Sequence, residues 1–160
     1  MGEILVMGPN GSGKTTLLKR LLQLVTSKSI SPFDPIELSE PTDEMISITL
    51  RTKRSTFVVK ELGGSSITDF TDKASTATGI VYVFDGADFV MTATNIVWLQ
   101  KVLESDLLEN RHLLILLSKC DVPGAITFDV INEMIDLNNL TYPDHVSFAT
   151  TSAVNGVNVT

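Results

Sequence analysis

The chain has 160 residues, the length of one domain, so residues 1–160 are read as a single unit large enough to bury a core without disulfide or metal staples. Twelve Lys and Arg against 19 Asp and Glu give a net charge of −7, which argues against a free-standing nucleic-acid binder, and 43% apolar with 19% charged residues argues against disorder. One cysteine excludes a disulfide framework or a Cys-rich zinc site, and no apolar run reaches the roughly 18–20 residues of a membrane span.

In chain order, short apolar runs alternate with helical patterns, which predicts an α/β fold with a mostly parallel sheet and helices on both faces. Ile4, Leu5, Val6 and Met7 predict a first strand, too short for a signal-peptide core. Gly2 raises the question of myristoylation, but Val6 stands where Ser or Thr is needed, so no direct lipid anchor is expected. After a glycine-rich turn, residues 15–26 predict a helix with Leu18, Leu22 and Val25 as its apolar stripe. Leu17 and Leu21 lie beside that stripe, and Lys19 and Arg20 lie off it.

Residues 27–41 read as a long polar loop, a kind that is often functional. Residues 46–50 alternate apolar and polar, and residues 56–60 return after so short a connection that only an antiparallel hairpin fits. Gly63 and Gly64 end the return strand, and a polar stretch, 65–78, follows. Residues 80–84 and 113–117 predict buried strands, and residues 95–108 a helix with Ile96, Leu99, Leu103 and Leu107 on one side. Trp98 is expected to pack against a neighbour. Residues 127–136 predict a short helix with Thr127 as N-cap, and residues 146–148 the last strand. The alternation then asks for one more helix, for which the eight residues after Ser152 are too few, so that helix is expected to be missing or truncated. His112 and His145, far apart in sequence and near strand starts, read as surface residues, and Cys120 as an inert small residue.

The chemistry begins at Gly8-Pro-Asn-Gly-Ser-Gly-Lys-Thr15, which fills every fixed position of G-x-x-x-x-G-K-[ST] between a strand and a helix. Average residue usage would produce that pattern in about one chain of this length in two hundred. Such a loop turns backbone N–H groups from Asn10, Gly11, Ser12, Gly13 and Thr16 toward phosphate oxygens. Lys14 supplies a point charge to the β- and γ-phosphates, and the Thr15 hydroxyl ligates Mg²⁺. Thr42, at the end of the long loop, could close over Mg²⁺ and the γ-phosphate. Glu61-Leu-Gly-Gly64 ends the hairpin where phosphate-binding switches hold an acid near Mg²⁺ and a glycine whose N–H reaches the γ-phosphate. Ser118-Lys-Cys-Asp121 follows a buried strand, where Asp121 could accept two N–H groups from a guanine edge and Lys119 could lie along the base. Ser152-Ala153, after the last strand, could offer a backbone N–H to a base carbonyl.

These motifs, in this order and spacing, resemble those of Ras-superfamily small GTPases. Pro41-Thr42, Gly63-Gly64 and Gly13-Lys-Thr-Thr16 are similar to the Arf and Arf-like branch. The resemblance implies a P-loop NTPase fold with six strands, one of them antiparallel, that binds GTP and GDP with Mg²⁺ and meets effectors and regulators through its switch regions. It puts Lys14 and Thr15 on phosphate and Mg²⁺, Thr42 and (through water) Glu61 on Mg²⁺, and Gly64 on the γ-phosphate. It puts Lys119 and Asp121 on guanine, with Ser118, Ser152 and Ala153 around the base. It also implies a cytoplasmic monomer that works in membrane or ciliary traffic, recruited to membranes or the cilium base by its partners.

Three positions depart from the family pattern. Glu61 stands for Asp, Ser65 for the Gln that orients the attacking water, and Ser118 for an Asn. No catalytic residue is therefore assigned. Two functional readings follow: a GTP-binding switch with weak intrinsic hydrolysis, which Lys14, Thr15, Thr42 and Gly64 favour, and a nucleotide-binding interaction module that never cycles, which the three departures favour. A small nucleotide kinase is disfavoured, because no Arg cluster follows Gly64 to form a phosphate lid.

Overall fold

The computed structural model describes residues 2–27, 47–51, 55–64 and 70–159. Six strands form one sheet: β1 (Gly2–Met7), β2 (Ser47–Arg51), β3 (Thr56–Glu61), β4 (Gly79–Asp85), β5 (His112–Ser118) and β6 (Val146–Thr150). Their order is β2-β3-β1-β4-β5-β6. All pairings are parallel except β2 with β3, where Ser47 faces Lys60 and Arg51 faces Thr56. The helices are α1 (Lys14–Ser27), α2 (Phe70–Ala74), α3 (Thr92–Leu103) and α4 (Phe128–Met134).

The central strands are apolar on both faces, as a sheet covered on both sides requires. Ile80, Tyr82 and Phe84 of β4, with Leu113, Ile115 and Leu117 of β5, join α2, α3 and α4 in one core cluster. Val83 and Leu116 point the other way, into a smaller cluster with Leu17 and Leu18 of α1. Tyr82 is fully buried, and its hydroxyl donates to Asn95 O at 3.0 Å, so loss of solvent pushes its pKa up. Strand β1 lies between β3 and β4, so the chain lays β2 and β3 on one side of it and then crosses to the other side for β4, β5 and β6. The loop from β1 to α1 therefore opens at the switch point of the sheet, where ligands of open α/β sheets bind.

Several expectations need correction, while Trp98 packs against neighbours as expected. The buried face of α1 is Leu17, Leu18 and Arg20, with Leu21 and Leu24 packed at its edge, while Leu22 and Val25 are exposed. The helical period allowed either face, and the sheet selected the one containing an arginine. Arg20 is 1% exposed, and its Nη1 donates to Gln23 Oε1 at 2.7 Å. The helix expected to run to residue 108 stops at Leu103, and Asp106–Asn110 forms a separate 3₁₀ turn that buries Leu108. The polar stretch after Gly64 contains α2, anchored by buried Phe70 and Ala74. Thr127 takes the N-cap position of α4 in extended conformation, without a side-chain cap bond. His112 and His145 are neighbours: β5 and β6 bring their rings to 5.1 Å, and His145 Nδ1–H donates to Leu108 O at 2.5 Å. Trp98 is half-buried against the core, with Lys101 Nζ 4.2 Å above its ring. Among the described residues no helix follows β6; instead Ser152 N–H donates to Val157 O at 3.2 Å, and Val159 is buried on the α1 face.

Candidate functional site

The loop from β1 to α1 curls tightly because Gly8 has φ +144°, and a side chain there would collide with the Val83 carbonyl. Lys14 folds back over the loop, with Nζ donating to Gly8 O at 2.9 Å and Pro9 O at 2.8 Å. It is 4% exposed. Desolvation lowers its pKa from the ordinary lysine value, and the Glu61 carboxylate pulls it partly back. Asn10 and Gly11 lie exposed at the loop tip, and Ser12 is buried behind them. Ser12 Oγ is buried without a hydrogen-bond partner among the described residues.

Strand β3 delivers its last residues to the same place. Leu62 N–H donates to Val6 O at 2.8 Å, extending the β1 pairing past the strand end. Glu61 is 2% exposed, and its Oε1 accepts from the Thr15 hydroxyl at 2.6 Å. Its Oε2 has no partner among the described residues. Gly64 lies so close to Asn10 that an added Cβ would collide with the Asn10 amide and stand 2.8 Å from its Cα.

The Thr15–Glu61 corner fits a hard cation. It offers oxygen ligands only, and the Glu61 oxygen left over is buried and without a partner among the described residues. Among the described residues no group of three His, Cys, Asp or Glu could hold a metal alone. Such an ion would need phosphate oxygens and water as further ligands, the usual condition for Mg²⁺. Thr42 and Ser65 lie outside the described residues.

Beside the loop, a cavity of about 190 Å³ opens between the ends of β5 and β6. Gly13 and Thr16 line it from the phosphate loop, Ser118, Lys119 and Asp121 from the loop after β5, and Ala153 from the loop after β6. Lys119 adopts a left-handed backbone (φ +59°), and its Nζ pairs with Asp85 Oδ2 at 2.6 Å. Asp85 is held in turn by the N–H groups of Ala87 (2.9 Å) and Asp88 (3.2 Å) on its other oxygen. Ser118 is buried, and its hydroxyl lies 2.6 Å from Ser12 O and 3.0 Å from Phe84 O. It ties the phosphate loop to the end of β4. Ser152 is fully buried and accepts the Asn155 N–H at 3.1 Å, so its hydroxyl braces the loop that presents Ala153. Burial and the neighbouring Asp121 push the Cys120 thiol up, which makes it a poor nucleophile.

Asp85 escaped the motif reading. Its signal was an acid ending an otherwise apolar strand, Ile80 to Phe84, which only a buried partner makes tolerable.

The sequence matches the model of the ADP-ribosylation factor family over residues 1–160. ADP-ribosylation factor-like protein 2 of Drosophila melanogaster is 32% identical over 156 residues, 96% of this chain and 79% of that protein. ADP-ribosylation factor-like protein 1 of Saccharomyces cerevisiae is 30% identical over 163 residues, covering 99% and 81%. ADP-ribosylation factor-like protein 16 of Homo sapiens is 24% identical over 141 residues, covering 87% and 70%. In fold, the chain is similar to the Arl6 BBS3 small GTPase from Trypanosoma brucei with bound nucleotide analogue GppNp, with TM-score 0.75 at 19% identity over 98% of this chain and 90% of that one.

Proposed function

Because the chain belongs to the ADP-ribosylation factor family, we propose that it is a guanine-nucleotide-dependent molecular switch with weak intrinsic GTP hydrolysis. One observation carries this reading: Gly13 and Thr16 belong to the phosphate loop and also line the cavity that holds Ser118, Lys119 and Asp121. A phosphate cradle and a base pocket that share residues suit one nucleotide lying across both.

In this reading the backbone of residues 10–16 and the Lys14 ammonium hold the phosphates. Thr15, with Glu61 through water and Thr42, would hold Mg²⁺, which neutralises charge on the β- and γ-phosphates when bound. The Gly64 N–H, next to Asn10, would sense the γ-phosphate. Lys119 is fixed by Asp85 so that its methylene stem can flank a base, while Asp121 accepts from the guanine edge.

Ser65 is too short to hold a water where the family's Gln would hold it, so intrinsic hydrolysis should run no faster than ~10⁻⁴ s⁻¹. The family resemblance supports a cytoplasmic protein acting in membrane or ciliary traffic, brought to its membrane by effectors. Glu61, Ser65 and Ser118 favour a second reading, a nucleotide-binding module that does not cycle. Single-turnover GTP hydrolysis with and without cell extract tests the choice. The switch reading expects slow turnover that extract accelerates; turnover absent under both conditions, with nucleotide still bound, favours the second.

A further inference from the structure

Helices α3 and α4 leave an apolar groove of about 310 Å³ between the start of one and the outer ridge of the other. Thr92 and Ile126 form its buried floor. Phe89, 61% exposed, and Met134, 52% exposed, stand on its two sides, with Val130 one turn before Met134. Val90 and Met91 extend the exposed apolar surface at the start of α3. Large apolar side chains gathered around one concavity mark interaction sites more often than scattered ones do, and unbranched methionines adapt to varied partners.

The two segments that form the groove carry charges of a single sign. Asp88 sits beside Phe89, its Oδ1 accepting the Met91 N–H at 3.1 Å. Asp129 and Glu133 are exposed and lie next round α4 from Val130 and Met134. Residues 85–100 and 120–136 contain no Lys or Arg. Of the two lysines that abut these segments, Lys119 is paired with Asp85 and Lys101 lies over the Trp98 ring.

We propose that this groove docks an amphipathic helix of a partner protein, with apolar side chains on Phe89, Val130 and Met134 and Lys or Arg flanks facing Asp88, Asp129 and Glu133. Charge complementarity selects this occupant. A second copy of the chain in a two-fold contact would set the same acids against each other, and an anionic lipid surface would be repelled by them.

The test uses the full chain and a fluorescein-labelled designed helix of Leu and Lys in amphipathic order, with a Leu/Glu version as control. Anisotropy should show binding of the Lys helix and none of the Glu helix, and hydrogen exchange should slow in residues 86–97 and 124–134. Phe89→Ser and Met134→Ser keep the charge and alter exposed side chains, so thermal melting should show both folded. Each should weaken binding at least about tenfold, the loss expected on removing one large apolar anchor, whereas Val157→Ser, exposed elsewhere, should leave it unchanged. The proposal is overturned by equal binding of the Glu helix, by protection outside the groove, or by Ser variants that bind like wild type. Self-association or anionic-vesicle binding that Phe89→Ser abolishes overturns it too, by identifying the other occupants.

Discussion

The Thr15 hydroxyl donates to Glu61 Oε1 at 2.6 Å, joining the first turn of α1 to the last residue of β3. Both residues were assigned to Mg²⁺ from separate motifs, and the fold makes them one corner. Glu61 is a methylene longer than the Asp of the family pattern; it meets Thr15 directly, and its Oε2 has no partner among the described residues. If Glu61 orients the water ligands of Mg²⁺, Glu61→Ala should raise the Mg²⁺ concentration needed to retain nucleotide about tenfold, the lower end for loss of an outer ligand partner. Nucleotide release measured across a Mg²⁺ titration gives the number. An unshifted midpoint would reduce Glu61 to a structural partner of Thr15.

Gly64 and Asn10 touch backbone to backbone, so residue 64 tolerates no side chain without movement. Gly64→Ala should push the end of β3 off the phosphate loop and carry the residue 64 N–H away from where, in the proposed switch, it would meet the third phosphate. Affinity for a non-hydrolysable GTP analogue should fall about tenfold, ~1.4 kcal/mol, with GDP affinity changed far less. Equal losses for both nucleotides would mean that the substitution disturbs the phosphate loop itself.

The parts legible in the sequence were those in which one segment determines its own structure. The phosphate loop is such a segment, because its glycines and its strand-turn-helix context are local. The alternation of buried strands is another, since Ile80 to Phe84 and Leu113 to Leu117 have no polar face to offer water. What escaped was decided by residues distant in sequence. Arg20 is buried because the sheet chose that face of α1, although Leu22 and Val25 offered an equally periodic stripe. Asp85 matters through Lys119, 34 residues away, and Ser118 through the Ser12 carbonyl, 106 residues away. Ser118, which stands where the family pattern has an Asn, lines the cavity and also ties the loop after β5 to the phosphate loop through Ser12 O. The break after Leu103 was hidden because Leu107 and Leu108 continue an apolar pattern that a 3₁₀ turn satisfies equally well.

Glu3 carries a pH dependence. Its carboxylate pairs with Lys60 at 2.5 Å and accepts from the Thr76 hydroxyl at 2.9 Å, and the two hold its pKa below the ordinary 4.5. A carboxyl lowered on folding contributes stability above its unfolded pKa and loses it as pH falls through the folded value. Both partners are partly exposed, so the contribution should be under about 1 kcal/mol. Glu3→Gln should be slightly less stable than wild type at pH 7 and indistinguishable from it near pH 2, by urea unfolding. A gap of equal size at both pH values would assign the effect to packing.

The central claim is that the cavity beside the phosphate loop reads guanine. Ionised Asp121 only accepts hydrogen bonds, and guanine presents N1–H and a 2-amino group that only donate. Adenine lacks that donor pair and would leave the carboxylate facing the base unsatisfied. Asp121→Asn exchanges one acceptor for a donor, which matches the 2-oxo group of xanthine. The direct measurement is competition of GTP, ATP and XTP against a fluorescent guanine nucleotide, for wild type and Asp121→Asn. GTP should displace the probe from wild type far better than ATP, and the variant should shift its preference toward XTP. Equal displacement by ATP in wild type, or a variant with no gain toward XTP, would contradict the account and leave residues 118–121 as a strand-end turn with no part in base recognition.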